Sequence, residues 1–270
     1  MSVRIVTDST CDLPAGITTG LGIQVIPLHI HIGNRDFLDG IDISRQEFYA
    51  NLPNFPDYPT TAGPSPSKFR AVYDSLAGEG ANEILSIHLS ENLSAVMNIA
   101  RTAAAQTTSV PVTVLDSRQL SMGTGFLVQT AAELAGAGMA VHEILPYLND
   151  QIRRTHVWAA LSNLHSLRRS GRMNKVVSTI GEILQIKPVL KMHDGISAVE
   201  KFRTQRRALD RLVEILRSLG SFEKIAFLHS NAMDATHRLM KEVQELLPDG
   251  EIMLETINPV LGAHIGSGVV

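Results

Sequence analysis

The stretch Glu83–Gln106 reads EILSIHLSENLSAVMNIARTAAAQ. Ile84 to Leu89 form an apolar run, Ser90-Glu91-Asn92 form a polar turn, and from Leu93-Ser94 apolar residues return at helical spacing. A strand therefore runs into a hydroxyl-rich turn, and the turn opens a helix. A helix N-terminus offers unpaired backbone N–H groups and partial positive charge, which suits an anion. The turn has no Lys and no run of glycines, so it is not built for a triphosphate.

The same grammar extends outward from this stretch. VRIVT, GIQVIPLHIHIG and VPVTVLDS read as further strands, and SRQEFYANL, SPSKFRAVYDSLAG and GTGFLVQTAAELAGAG as helices. Short apolar runs alternating with amphipathic helices imply a mostly parallel sheet covered on both faces. NLPNFPDYPTTAGPSPS, with five prolines, interrupts the pattern as a loop. The second half differs. AVHEILPYLNDQIRRT is a helix and HVWAALSN a strand, with short helical stretches around LHSLRRSG and VVSTIGEILQ. KPVLKMHDGISAVEKFR reads as a β-hairpin, because Asp-Gly is the pair a type I′ turn requires. The long amphipathic helix TQRRALDRLVEILRSLG follows, then strand, helix and strand. The expectation is an α/β protein of two α/β domains. Residues 1–150 would carry a parallel sheet and residues 151–270 a mixed or antiparallel sheet with helices.

The chain has 270 residues and a net charge of −3, so no global basic field points to nucleic acid. No segment is apolar for long enough to span a bilayer and no signal-peptide profile is present, which makes the cytoplasm the default location. Cys11 is the only cysteine, so a disulfide within the chain and a cysteine-based zinc cage are excluded, and Cys11 reads as packing. The ten histidines show no metal spacing. GxxxxGK[ST], HExxH and GxSxG are absent, and Ser65 with Lys68 forms an S-x-x-K without its companion motifs.

Polar loops recur after the first-half strands: TDST, SENLS with Ser94, and DSRQLS with Ser121. In an open parallel sheet that edge is where ligands bind. Each loop alone is explained by helix capping. Together with Thr60 and Thr61 they make a crest of neutral donors, suited to a carboxylate or a phosphate monoester. In SLRRSGRM, Arg168 and Arg169 read as a solvated turn, whereas Arg172 precedes an apolar helix and could clamp an anion. Lys201, Arg203, Arg206 and Arg207 form a second basic cluster, read as solvated surface. His264 sits in PVLGAHIGSG, read as a glycine-rich loop, where it either donates to a ligand or caps a turn.

At this point nine pieces, in order, resemble one known family. They are IVTDSTCDLP, DFLDGIDIS, PTTAGPSP, HLSENLSAVMNIA, VLDSRQLSMGTG, LSNLHSLRRSGRM, IKPVL, KFRTQRRAL and NPVLGAHIGSG. Over essentially its whole length the chain resembles the DegV family of bacterial fatty-acid-binding proteins. The resemblance implies a non-catalytic carrier with no metal and no cofactor, holding a long-chain fatty acid such as palmitate, stearate or oleate. Its carboxylate would meet Thr61 and Ser94 near the interdomain cleft, with Arg172 and His264 close by and Ser121 on the same crest. The tail would lie in an apolar tunnel, for which Leu164, Leu167, Met173, Ile180, Ile183, Leu184 and Ile186 are lining candidates. Some relatives pass the fatty acid to a separate fatty acid kinase, which the cluster around Arg203 would meet, and peripheral membrane contact would serve lipid exchange. The chain departs from the family where SGTY becomes SAVM, with Ala95 for a Gly, and where Ala62-Gly63 replaces Ser-Gln. The rival reading is a phosphotransferase or hydrolase using the same hydroxyl-lined cleft. A tail of roughly 15 methylenes gains on the order of 10 kcal/mol gross on leaving water. Each hydroxyl bond to a carboxylate adds only ~1.5–3 kcal/mol. The tail would supply affinity and the crest orientation.

Overall fold

The computed structural model describes residues 2–172 and 186–270. The expected helix over VVSTIGEILQ, and the lining candidates Met173, Ile180, Ile183 and Leu184, lie outside the described residues.

Four strands form a parallel sheet in the order β2-β1-β6-β7: Gln24–Ile26, Val3–Asp8, Glu83–His88 and Val112–Asp116. The chain leaves β1 for β2 on one side and returns to β6 on the other, so the strand order reverses between β1 and β6. Alternation along β6 sorts its side chains by face. Ile84 packs with α3 (Pro66–Gly78) and α4 (Val96–Gln106), while Leu85 and Ile87 pack with α5 (Met122–Gly136) and α6 (Val141–Arg154). Both faces are buried, as continuous apolar strands require.

The run GIQVIPLHIHIG is not one strand. It gives β2, then Pro27, then β3 (His29–Ile32), which joins an antiparallel sheet with β4 (Arg35–Leu38) and β5 (Thr60–Ala62). Proline has no N–H for a ladder, so the break falls there. β5 is the polar end of the proline-rich segment read as loop, and its pairing of Thr61 with Ile30 fixes the Thr61 backbone. The helix α2 (Arg45–Asn51) closes this layer with a Ser44–Glu47 capping box and buried Phe48 and Tyr49.

The second half holds an antiparallel sheet β8-β9-β10: His156–Ala160, Lys187–His193 and Ile196–Phe202. Asp194 and Gly195 turn the β9–β10 hairpin at φ 47° and 78°, both positive as a type I′ turn demands. A separate parallel pair, β11 (Ala226–His229) and β12 (Met253–Thr256), lies beyond. After the short α7 (His165–Arg169), the helices α8 (Gln205–Leu219) and α9 (Met233–Glu242) cover these strands. The fold class is as expected, α/β with a four-stranded parallel sheet and a parallel pair beside antiparallel sheets. The segment read as a glycine-rich loop is corrected: it is the helix α10 (Pro259–Ile265), started by the Asn258 side chain and by proline in the first turn.

Candidate functional site: a lined cavity with a hydroxyl and imidazole end

A cavity of about 1200 Å³ runs from the carboxyl ends of β1 and β6 into the second half. That volume exceeds the roughly 300–1,000 Å³ usual for ligand pockets. One end is polar and carries Thr10, Thr61, Ser94, Ser121, Arg172 and His264. Leu120, Leu167, Leu190, Ile257, Leu261, Ile265 and Val269 continue it as an apolar wall. Of the lining candidates within the described residues, Leu167 faces the cavity, while Leu164 and Ile186 sit in the core behind it.

Thr61 Oγ1 lies 2.8 Å from His264 Nε2. Burial, with help from the Arg172 charge, lowers the His264 pKa to about 4, so the ring is neutral at pH 7. A neutral imidazole has one N–H. With the proton on Nε2 the ring donates to Thr61 and frees the Thr61 hydroxyl proton. With the proton on Nδ1, Thr61 donates to the ring and Nδ1–H is free. His264 Nδ1 is buried without a hydrogen-bond partner among the described residues. In either tautomer the pair keeps one donor for a bound group.

Ser94 accepts the Val96 N–H at 3.3 Å, which leaves its own proton to donate. The helix starts later than the hydroxyl pattern suggests: Ala95 is the N-cap residue of α4 and gives no side-chain cap. Ala95 and Ser94 both border the cavity beside the open first turn of α4. Arg172 follows Gly171 at φ 70° and donates to Ser170 O at 2.9 Å. Arg168 and Arg169 are exposed, with Arg169 over the Tyr58 ring. Arg203 is exposed where β10 meets α8 and does not line the cavity.

Ser121 has a different partner. It donates to Asp12 Oδ2 at 2.6 Å, so its proton points away from the cavity. The fully buried Asp12 carboxylate also accepts the Asn258 N–H at 2.9 Å and lies 3.3 Å from Arg45. Burial raises its pKa, opposed by Arg45, Ser121 and Asn258. Asp12 thereby ties the end of β1, the start of α5 and the start of α10 to one point. Sequence reading passed over it. Its αL backbone, φ 59°, leaves no trace in sequence beyond the tolerance of Asp for that region.

Glycine allows α10 to seat closely. A Cβ on Gly262 would meet Tyr49 Oη at 2.5 Å and Phe48 Cε1 at 2.9 Å, so α10 rests on α2 with no room for a methyl. His264 is carried on that helix.

A Ser-His-Asp series also exists. Ser86 Oγ lies 2.7 Å from His88 Nε2, and His88 Nδ1 lies 2.8 Å from Asp8 Oδ2. Its members are fully buried, Tyr73 bonds Ser86 at 2.8 Å, and none lines the cavity. A substrate cannot reach this serine, so the series acts as a satisfied polar core. Cys11 is equally sealed, and burial pushes its thiol up to about 12, which removes it as a thiolate nucleophile. Among the described residues no group of three His, Cys, Asp or Glu side chains could hold a metal, and no helix is long and apolar enough to cross a membrane.

The DegV family model, which describes an uncharacterised protein family, matches residues 2–270. The chain belongs to the DegV family. DegV domain-containing protein lin2658 of Listeria innocua is 30% identical over 272 residues, covering 99% of this chain and 96% of its own length. A Thermus thermophilus structure described as fatty acid binding of a DegV family protein is 31% identical. Its TM-score is 0.88, over 100% of this chain and 97% of that one. A Bacillus subtilis structure described as DegV, a fatty acid binding protein, is 27% identical, with TM-score 0.91 over 100% and 97%. Against the DegV pattern, the Ala62-Gly63 departure has a packing correlate: a Cβ on Gly63 would approach Ile99 Cδ1 to 2.7 Å, at the end of a flexible side chain.

Proposed function

We propose that this protein binds a long-chain fatty acid and carries it without chemically altering it. The observation that carries this reading is one cavity with an apolar wall and, at one end, the Thr61–His264 pair, Ser94 and Arg172. The fatty-acid-binding descriptions of the Thermus thermophilus and Bacillus subtilis relatives support the same ligand class. The carboxylate would accept from Thr61 or His264 and from Ser94, with the Arg172 charge nearby. Ser121 would shape the wall and hold Asp12. The tail would be palmitate-, stearate- or oleate-like and would lie along Leu120, Leu167, Leu190 and Leu261. We place the two domains at residues 1–150 and 151–270, with the head group at their cleft, and the carrier in the cytoplasm. A fatty acid kinase is the partner we infer, with exposed Arg203 as a contact for it or for an acyl phosphate, and brief membrane contact would load the ligand.

Native mass spectrometry of the purified protein tests the reading. Added mass of fatty-acid size, lost on delipidation and regained with palmitate, is the expected result. An empty protein that takes up no palmitate overturns it.

A further inference from the structure

The tip of the β9–β10 hairpin rests on two loops of the first half. Gly195 N–H donates to Arg118 O at 2.9 Å, and Asn92 Nδ2 donates to Gly195 O at 3.0 Å. Arg118 Nη1 donates to Asp194 Oδ1 at 2.8 Å. Asn92 stands in SENLS after β6 and Arg118 in DSRQLS after β7, the loops that carry Ser94 and Ser121. Both turn residues of the hairpin are therefore contacts as well. A Cβ on Gly195 would sit 3.6 Å from Arg118 Cβ.

The two loops form one shelf. Ser90 N–H donates to Gln119 O at 2.8 Å, Ser117 N–H to His88 O at 3.0 Å, and Arg118 N–H to Asp116 Oδ1 at 2.8 Å. Ser90, Ser117 and Gln119 are buried. The far end of the hairpin is firm too. Leu161 N–H donates to Pro188 O at 2.8 Å, and Val189 packs with Ala160 in the core beneath α8. The seam between shelf and tip is weaker. Asn92 is exposed, the Arg118 side chain is 54% exposed and that of Asp194 35%. The bond from His193 Nε2 to Arg153 O, 2.9 Å, which joins the hairpin to α6, is exposed as well. Exposed ion pairs and hydrogen bonds are exchanged for bonds to water at little cost. Segments held in this way are the first to open locally.

The seam is also a wall of the cavity. Leu93, Ser94 and Leu120 line it from the shelf, and Leu190, Met192 and Ser197 from the hairpin. Asn92, Arg118, Asp194 and Gly195 lie outside the lining. We propose that the β9–β10 hairpin is the gate of the cavity and that Asn92 and Arg118 are its latch, a proposal that rests on the reading of the cavity as an acyl-chain site. The tip lifts from the shelf, the buried base of β9 is the hinge, and the ligand passes beside Ser94. Leu190 belongs to the same apolar cluster as Leu120, and an entering tail replaces that contact with its own. The latch sets the rate of exchange and leaves affinity alone, because its residues stand outside the cavity and their bonds re-form when the tip closes.

Two variants of the full chain test the gate. Arg118→Cys with Gly195→Cys sets two thiols within bridging reach, since bridged cysteines have Cβ atoms ~3.5–4.5 Å apart. Cys11 is buried and stays out of the exchange. Asn92→Ala with Arg118→Ala removes the side-chain latch. Release of labelled palmitate to phosphatidylcholine vesicles is timed, and amide exchange across residues 190–197 is followed without ligand. Closing the bridge with glutathione disulfide should slow release about tenfold and slow the amides, and dithiothreitol should reverse both. The alanine pair should speed release about threefold with equilibrium affinity unchanged. Equal release from bridged and reduced protein overturns the gate, and so does a cysteine pair that fails to cross-link. If the wild type takes up no palmitate, the acyl-chain reading falls and the amides alone decide. Slower exchange in the bridged form and faster exchange in the alanine pair then support a hinged hairpin, and unchanged exchange in both overturns it.

Discussion

Thr61 Oγ1 and His264 Nε2 lie 2.8 Å apart, although 203 residues separate them in the chain. The contact joins β5 to α10 and sets the polar end of the cavity. Under the proposed function, removing one side of it should leave a cavity that still takes a tail but orients it less firmly.

Ser94→Ala should weaken palmitate binding about tenfold or more, since a hydroxyl bond to a charged group contributes roughly 1.5–3 kcal/mol. The same change removes the acceptor for Val96 N–H and should cost only about 0.5–1 kcal/mol of stability. Calorimetric titration and thermal melts separate the two. Equal affinity in mutant and wild type would remove Ser94 from the head-group site.

The His264 pKa, ordinarily 6.5, is lowered to about 4 by burial and by Arg172. Between those values the unfolded chain takes a proton that the folded one refuses. Stability from this group is therefore present above pH 6.5 and lost as pH falls toward 4. His264→Gln should flatten that acid-side slope in urea unfolding curves. An unchanged slope would place the ring in an open, solvated setting.

Asp39 works in the opposite sense. Burial first, and then the Asp12 and Asp8 charges, raise its pKa from 3.8 to about 7, against the Ser9 bond and Arg45. The folded form then holds a proton that the unfolded chain releases, so stability falls as pH rises from about 4 through 7. Asp39→Asn should lessen that decline and raise the melting temperature at pH 8 relative to wild type. A mutant that loses stability equally at pH 5 and pH 8 would count against a protonated Asp39.

Gly262→Ala should cost about 1–3 kcal/mol, the usual penalty for overpacking a tight contact. It should also weaken palmitate binding, because α10 must rise from Tyr49 and Phe48 and take His264 with it. Gly136→Ala, at a position with open space around it, is the control. Loss of stability without loss of affinity would separate α10 seating from the head group.

Much of this fold could be read from residues. Ile84 to His88 announced a buried strand, and Asp194-Gly195 announced the hairpin. The misses have physical reasons. Apolar alternation in GIQVIPLHIHIG does not say which partner each piece meets, so the jump at Pro27 into a second sheet was invisible. The α10 helix was hidden by the three glycines of PVLGAHIGSG, yet Asn258-Pro259 is a capping residue followed by a first-turn proline and was a usable signal. Thr61 and His264 were singled out, but their bond depends on β5 pairing with β3 and on α10 seating, which no local pattern encodes. Asp12 escaped because its three partners, Arg45, Ser121 and Asn258, are scattered along the chain.

The long separation of Thr61 and His264 also bears on synthesis. A ribosome that has delivered β1 through α6 has made the whole parallel sheet and Thr61, but not the imidazole beside it. Non-local contacts close late because their loop entropy must be overcome first. The Thr61–His264 contact is therefore completed only when α10 leaves the exit tunnel, and under the proposed function a nascent chain shorter than about that length should take up no palmitate.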